Sequence, residues 1–130
     1  MRMISRGGLV SAMVALGLMT ASMATASAAD TLDSFCSESG DFCTYVIEKD
    51  SGAIQFQIRA FANYFGRSQA CVTKETQVCR NRAPHRSHGL FVWRIRWQDN
   101  FPDEGPGRYT LRWRSDQGAR IGPALYFRPD

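Results

Sequence analysis

Residues 29–130 are predicted to fold as one all-β domain: a seven-stranded antiparallel β-sandwich held by two disulfides. Three observations predict it. After residue 30 the apolar residues recur at every second position, the period of a half-buried strand, and no window sustains a helical period. Turn-forming clusters interrupt the alternation at short intervals, as in sandwiches and small barrels. Four cysteines, an even number, all fall in this part of the chain. Of 130 residues, 102 remain after a 28-residue leader, which is enough for one core and not for two.

The leader comes first. Arg2 and Arg6 form a positive n-region, Leu9 to Met19 an apolar h-region, and Ala26-Ser27-Ala28 a small-x-small cleavage site. A membrane anchor fits less well. The apolar run is broken by Ser11, Gly17, Thr20 and Ser22, and no stop-transfer charges follow it. The expected organisation is a signal peptide over 1–28 and a secreted, extracellular domain over 29–130, with no membrane span after cleavage. Cys36 lies too far past the cleavage site for a lipoprotein anchor.

Next come the cysteines. Cys36 and Cys43 flank a Ser-Gly-Asp turn, and Cys71 and Cys79 flank a hairpin turning at Lys74 to Thr76. Such a hairpin sets Cys71 opposite Cys79 within disulfide reach, so the local pairing Cys36–Cys43 and Cys71–Cys79 is expected. Four cysteines admit two other connectivities. His85 and His88 do not combine with these spacings into a zinc pattern, and an exported chain meets oxidising conditions. No metal or other cofactor is expected.

The strands follow in order: Cys43 to Glu48, Ile54 to Ala60, Gln69 to Thr73, Gln77 to Arg82, Phe91 to Trp97, Arg108 to Arg114 and Ile121 to Phe127. Their inward parity collects Ile54, Phe56, Ile58, Trp93, Trp97, Tyr109, Leu111 and Trp113 into a core. The same parity leaves Phe61, Val72 and Tyr126 exposed, with Tyr64 and Phe65 at a turn rim. Pro123 cannot donate to a ladder, so the last strand is expected at an edge.

Asn100 to Trp113 is the most specific local stretch. An extended strand ends, a loop containing Pro102, Gly105, Pro106 and Gly107 turns, and Gly107-Arg108-Tyr109 opens an aromatic strand. This resembles the corner between the fifth and sixth strands of immunoglobulin-like and fibronectin-III-like sandwiches. The resemblance implies that Tyr109 bonds back to the corner backbone. Five candidate strands precede Tyr109 and one follows its own, which suits a seven-stranded sandwich. The chain also resembles a group of small secreted actinobacterial proteins, through Cys71/Cys79, Arg96-Trp97, Asn100-Phe101-Pro102, Gly105 to Tyr109, and Ile121 to Phe127. That resemblance implies fold and export, and no activity.

Motifs for catalysis are missing. The sequence holds neither Gly-x-Ser-x-Gly nor His-Glu-x-x-His, and His85 and His88 have no evident orienting carboxylate. The formal net charge is +4, but Arg2 and Arg6 belong to the leader. The mature part has 14 basic and 12 acidic residues, a balance that gives no bulk argument for nucleic-acid binding, and no specific nucleic acid is expected as a partner.

Charge is unevenly spread, however. Residues 30–50 hold six acids against one lysine, and residues 80–120 hold nine arginines against four acids. The plain reading is a set of solvated strand faces. The functional reading is an anion-recognising surface at Arg94, Arg96, Arg112 and Arg114, with Tyr64 and Tyr126 as aromatic contacts. A sandwich would put Arg94 and Arg96 on one sheet and Arg112 and Arg114 on the other. The expected function is non-catalytic binding, as a monomer, to an extracellular protein or cell-envelope polymer. The alternative is an inhibitor of a secreted hydrolase that presents the loop Asn100 to Gly107.

Overall fold

The computed structural model describes residues 29–129; the expected signal peptide, residues 1–28, lies outside them. The alternating stretches form nine strands and one helical turn. They are β1 (Ala29–Cys36), β2 (Phe42–Lys49), β3 (Ile54–Ala60), β4 (Ser68–Thr73), β5 (Gln77–Arg82), β6 (His85–Ser87), β7 (Leu90–Arg96), α1 (Trp97–Asn100), β8 (Tyr109–Arg114) and β9 (Leu125–Phe127). A five-stranded sheet runs β1-β2-β3-β7-β6 and a four-stranded sheet runs β9-β8-β4-β5. Every pairing with a resolved register is antiparallel.

Alternation decides what each sheet turns inward. Val46, Phe56, Ile58, Trp93 and Ile95 of the larger sheet join Ala70, Val72, Leu111, Trp113 and Phe127 of the smaller in one buried cluster. Phe56 meets Phe127 across the gap, ring centroids 5.2 Å apart. Burying an aromatic or branched side chain of this kind contributes about 1.5–3 kcal/mol. Trp93 is fully buried, and its indole N–H donates to the Gly66 carbonyl at 2.8 Å. Gly66 holds a φ of +65°, and a Cβ there would collide with the Asp116 carboxylate, so the turn that receives Trp93 needs glycine.

Both disulfides form with the local pairing, Cys36–Cys43 and Cys71–Cys79. Each is confined to one sheet, and neither links the two. Cys71 faces Cys79 in the β4–β5 register and Arg112 across β8. This puts Cys71 on the outer face and corrects the expectation for Val72. Val72, one residue on, faces inward between Leu111 and Val78 and is buried.

Three further differences concern the elements themselves. Nine strands stand among the described residues where seven were expected. The polar β1 and the three-residue β6 carry too little apolar alternation to show in the sequence. Trp97 closes no strand: it opens α1, and Phe101 N–H bonds back to its carbonyl at 3.0 Å. The last strand begins at Leu125, because Gly122 and Pro123 break the ladder before it. Its edge position is as expected.

The corner before β8 is closed by Tyr109, which is buried at 1% exposure. Its hydroxyl accepts from Glu104 N–H at 2.7 Å and donates to the Gly105 carbonyl at 2.8 Å. Glu104 ties the same loop sideways. Its carboxylate accepts from the backbone N–H groups of Glu75 and Thr76, at 2.9 and 3.3 Å, and from the Thr76 hydroxyl at 2.7 Å. The Thr76 hydroxyl and the Glu75 N–H hold the Glu104 carboxyl below the usual carboxylate range.

Candidate functional site

Beyond β8 the chain turns back through Ser115–Ala119, and Arg120 comes to lie opposite Arg114 in an isolated antiparallel bridge. Further along, Leu125 lies opposite Leu111. Between these two pairs β8 advances three residues while the returning chain covers five, so two residues have no counterpart. Gly122 and Pro123 take up the excess. Gly122 adopts a φ of +72°, and a Cβ on it would sit 3.0 Å from the Phe35 ring. The bulge leaves a concavity of about 230 Å³ lined by Arg112, Trp113, Arg114, Arg120, Gly122, Ala124 and Tyr126.

Three guanidinium-bearing residues and a phenol therefore surround a cavity that has no acid and no histidine in its lining. Among the described residues, no carboxylate lies within 4.0 Å of Arg112, Arg114 or Arg120. Four of the other arginines are engaged by neighbouring side chains. Arg59 donates to Gln57 at 3.1 Å, Arg82 to Asn100 at 2.8 Å, and Arg96 pairs with Asp99 at 3.2 Å. Arg94 Nη1 lies 3.0 Å from His85 Nε2. Since guanidinium only donates, that imidazole nitrogen is the acceptor. The inner wall of the cavity is Trp113, whose buried indole N–H has no acceptor among the described residues.

Tyr126 also walls a second concavity, of about 310 Å³, with Leu32, Arg108, Phe127 and Arg128. The Arg108 guanidinium carbon lies 4.5 Å from the Tyr126 ring centroid, a cation–π contact that steadies a ring still 40% exposed. Asp33 on β1 accepts the Tyr126 backbone N–H at 2.9 Å and so occupies a donor of the exposed β9 edge.

Of the residues expected to bind, the structure brings Arg112, Arg114 and Tyr126 together. Arg94 and Arg96 sit on β7 in the other sheet. Tyr64 is 49% exposed and lines a separate cavity of about 180 Å³ with Ser39, Asp41, Phe42 and Phe65. Arg108, Arg120 and Arg128 were not singled out from the sequence. Arg120 had a usable signal, because a hairpin closed at Gln117-Gly118 places it against Arg114. Nothing local marked Arg108 or Arg128.

Multiple cations with no internal partner, in a shallow depression, can hold an anion by charge-assisted hydrogen bonds. Among the described residues no three of His, Cys, Asp and Glu gather where they could share a metal ion. No described helix is long and apolar enough to cross a membrane. Comparison of the chain with protein-family models returned no match, and comparison with curated proteins returned none.

Proposed function

We propose that this chain is a secreted, non-catalytic binding protein whose β8–β9 face recognises an anionic group on an extracellular polymer or protein. One observation carries the reading: Arg112, Arg114 and Arg120 line one cavity that has no acid in its lining, and among the described residues none of the three bonds a neighbouring side chain, whereas Arg59, Arg82, Arg94 and Arg96 do. Unpaired guanidinium groups gathered at a concavity repel one another and are stabilised by an incoming anion. The two disulfides suit an oxidising, extracellular setting.

The scaffold belongs to the same proposal, as an immunoglobulin-like sandwich. The order β2-β3-β7-β6 facing β9-β8-β4-β5 is that of strands ABED facing GFCC′, with β1 added outside the first strand. Tyr109 at the start of the F-like strand makes the corner bonds that this fold uses. Two departures stand beside these. The disulfides stay within sheets, and the buried Trp93 is on the E-like strand, not the C-like strand. The kinship to small secreted actinobacterial proteins is likewise part of the proposal.

The hydrolase-inhibitor alternative has weaker support. Glu104 and Tyr109 commit the Asn100–Gly107 loop to the body of the domain, where an inhibitor needs a freely presented loop. Cosedimentation of the oxidised protein with isolated actinobacterial cell walls tests the leading reading. Wild type should bind in a salt-sensitive manner, and R112A/R114A/R120A should bind at least tenfold more weakly. Equal retention of the two proteins defeats the assignment.

A further inference from the structure

The two arginine-bearing concavities share one wall, Tyr126, and this suggests more than a single anion subsite. From the Arg114/Arg120 pair to Arg108, β8 and its lead-in run six residues, at most about 20 Å of extended chain. Arg112 and Thr110 occupy the same outward parity between these ends, with Tyr126 opposite Thr110. Separately, the cavities of about 230 and 310 Å³ lie at or below the small end of small-molecule sites. Neither alone is large enough to enclose a sugar oligomer. Together they make a shallow track, with cations at both ends and an aromatic ring between them.

We infer that this track binds a linear acidic glycan, with one charged sugar unit at Arg112/Arg114/Arg120 and another at Arg108/Arg128, straddling Tyr126. The inference rests on the binding reading above and specifies its ligand. Each half has a chemical reason. Guanidinium forks pair with carboxylate or sulfate bidentately. The exposed part of an aromatic ring stacks against the C–H face of a pyranose, and Arg108 over the ring fixes its tilt. Single-stranded nucleic acid fits less well. Its recognition without sequence preference uses successive aromatic platforms, and of the three aromatics lining this track Trp113 and Phe127 are buried, which leaves Tyr126 as the exposed one.

Isothermal titration of the oxidised protein with galacturonate oligomers of one, two, four and six units tests the proposal. Maltohexaose and a twelve-residue thymidine oligonucleotide serve as comparison probes. Affinity should rise at least tenfold from monomer to tetramer, and maltohexaose should bind at least tenfold more weakly than the hexamer. R108A should weaken the tetramer at least fivefold and leave the monomer unchanged. Y126A should weaken the tetramer at least fivefold and the monomer by less, because Tyr126 walls both cavities, and Y126F should retain binding, with thermal melts confirming that each variant is folded. R112A should weaken both ligands. Length-independent binding, or an R108A tetramer affinity equal to wild type, overturns the track while leaving the single cavity intact. An unaltered R112A removes the cavity reading and the track with it. Tighter binding of the oligonucleotide than of the hexamer overturns the glycan assignment.

Discussion

Tyr109 is where a single side chain holds most structure. Its ring is stacked on Phe127 at 5.3 Å and its hydroxyl satisfies two backbone groups of the corner. Tyr109→Phe removes those bonds and strands their partners, at an expected cost of about 1–3 kcal/mol. Tyr109→Ala adds a cavity and should cost about 3–5 kcal/mol. Urea unfolding midpoints read both, and wild-type midpoints would exclude the corner. Burial also raises the phenol above its ordinary pKa, ahead of the Glu104 backbone contact that opposes it. The folded state thus keeps its proton longer than the unfolded state. This contribution is complete below the ordinary phenol pKa and is lost as pH rises through the elevated one. The alkaline decline in stability should be reduced in Tyr109→Phe.

Among the elements, the β8 lead-in loop and the β4–β5 hairpin depend on one carboxylate. Glu104 bonds three donors of the Glu75–Thr76 turn, and its pKa is lowered by them. A lowered folded pKa means that this contact is complete above the ordinary carboxylate value and is lost as pH falls through the lowered one. Amide exchange at Glu75 and Thr76 should therefore accelerate in acid, beyond the intrinsic pH effect. Glu104→Gln should raise that exchange at neutral pH and remove its acid dependence; unchanged exchange in the variant would contradict the tie. The bulge before β9 is a second dependent element. Gly122→Ala introduces a side chain at positive φ and against Phe35, so it should destabilise by about 1 kcal/mol or more. It should also reshape the Arg112 cavity, detectable as a shifted Arg112 Nε resonance.

The whole molecule is cross-linked within its sheets and not between them. Closing a loop of eight or nine residues restricts the unfolded chain by about 2–3 kcal/mol per disulfide. Because one bridge lies in each sheet, the two effects should add, as distant sites do within about 0.5 kcal/mol. Denaturation of C36A/C43A, C71A/C79A and the fourfold variant checks this. A fourfold loss well above the sum would mean that the sheets are coupled through their staples. The core argues otherwise: Phe56, Trp93, Leu111 and Phe127 pack the two sheets together without either disulfide.

Short-range rules made much of this fold legible. Period-two alternation located seven of the nine described strands, because strand parity depends only on neighbours along the chain. Cysteine spacing pointed to the pairing, since a hairpin of that length leaves its ends face to face. Gly107-Arg108-Tyr109 after a proline-rich turn announced the corner. Parity failed at Val72, because the register pairs Cys71 with Cys79 and Arg112 on the outer face and so sets Val72 against Leu111 on the inner one. β1 and β6 stayed hidden because polar strands hold their places through partners and not through their own pattern.

The candidate site belongs to the other kind of information. Arg112, Arg114 and Tyr126 were visible as residue types, yet so were Arg94, Arg96 and Tyr64, and composition could not rank them. Tertiary structure separated them by giving Arg94 and Arg96 neighbours to bond and leaving Arg112, Arg114 and Arg120 without any among the described residues. It also joined Tyr126 to those arginines through the two-residue excess between Leu111–Leu125 and Arg114–Arg120. Alternation along a chain fixes which way each residue faces. Register between chain segments fixes what stands beside it, and that depends on packing the whole sandwich at once.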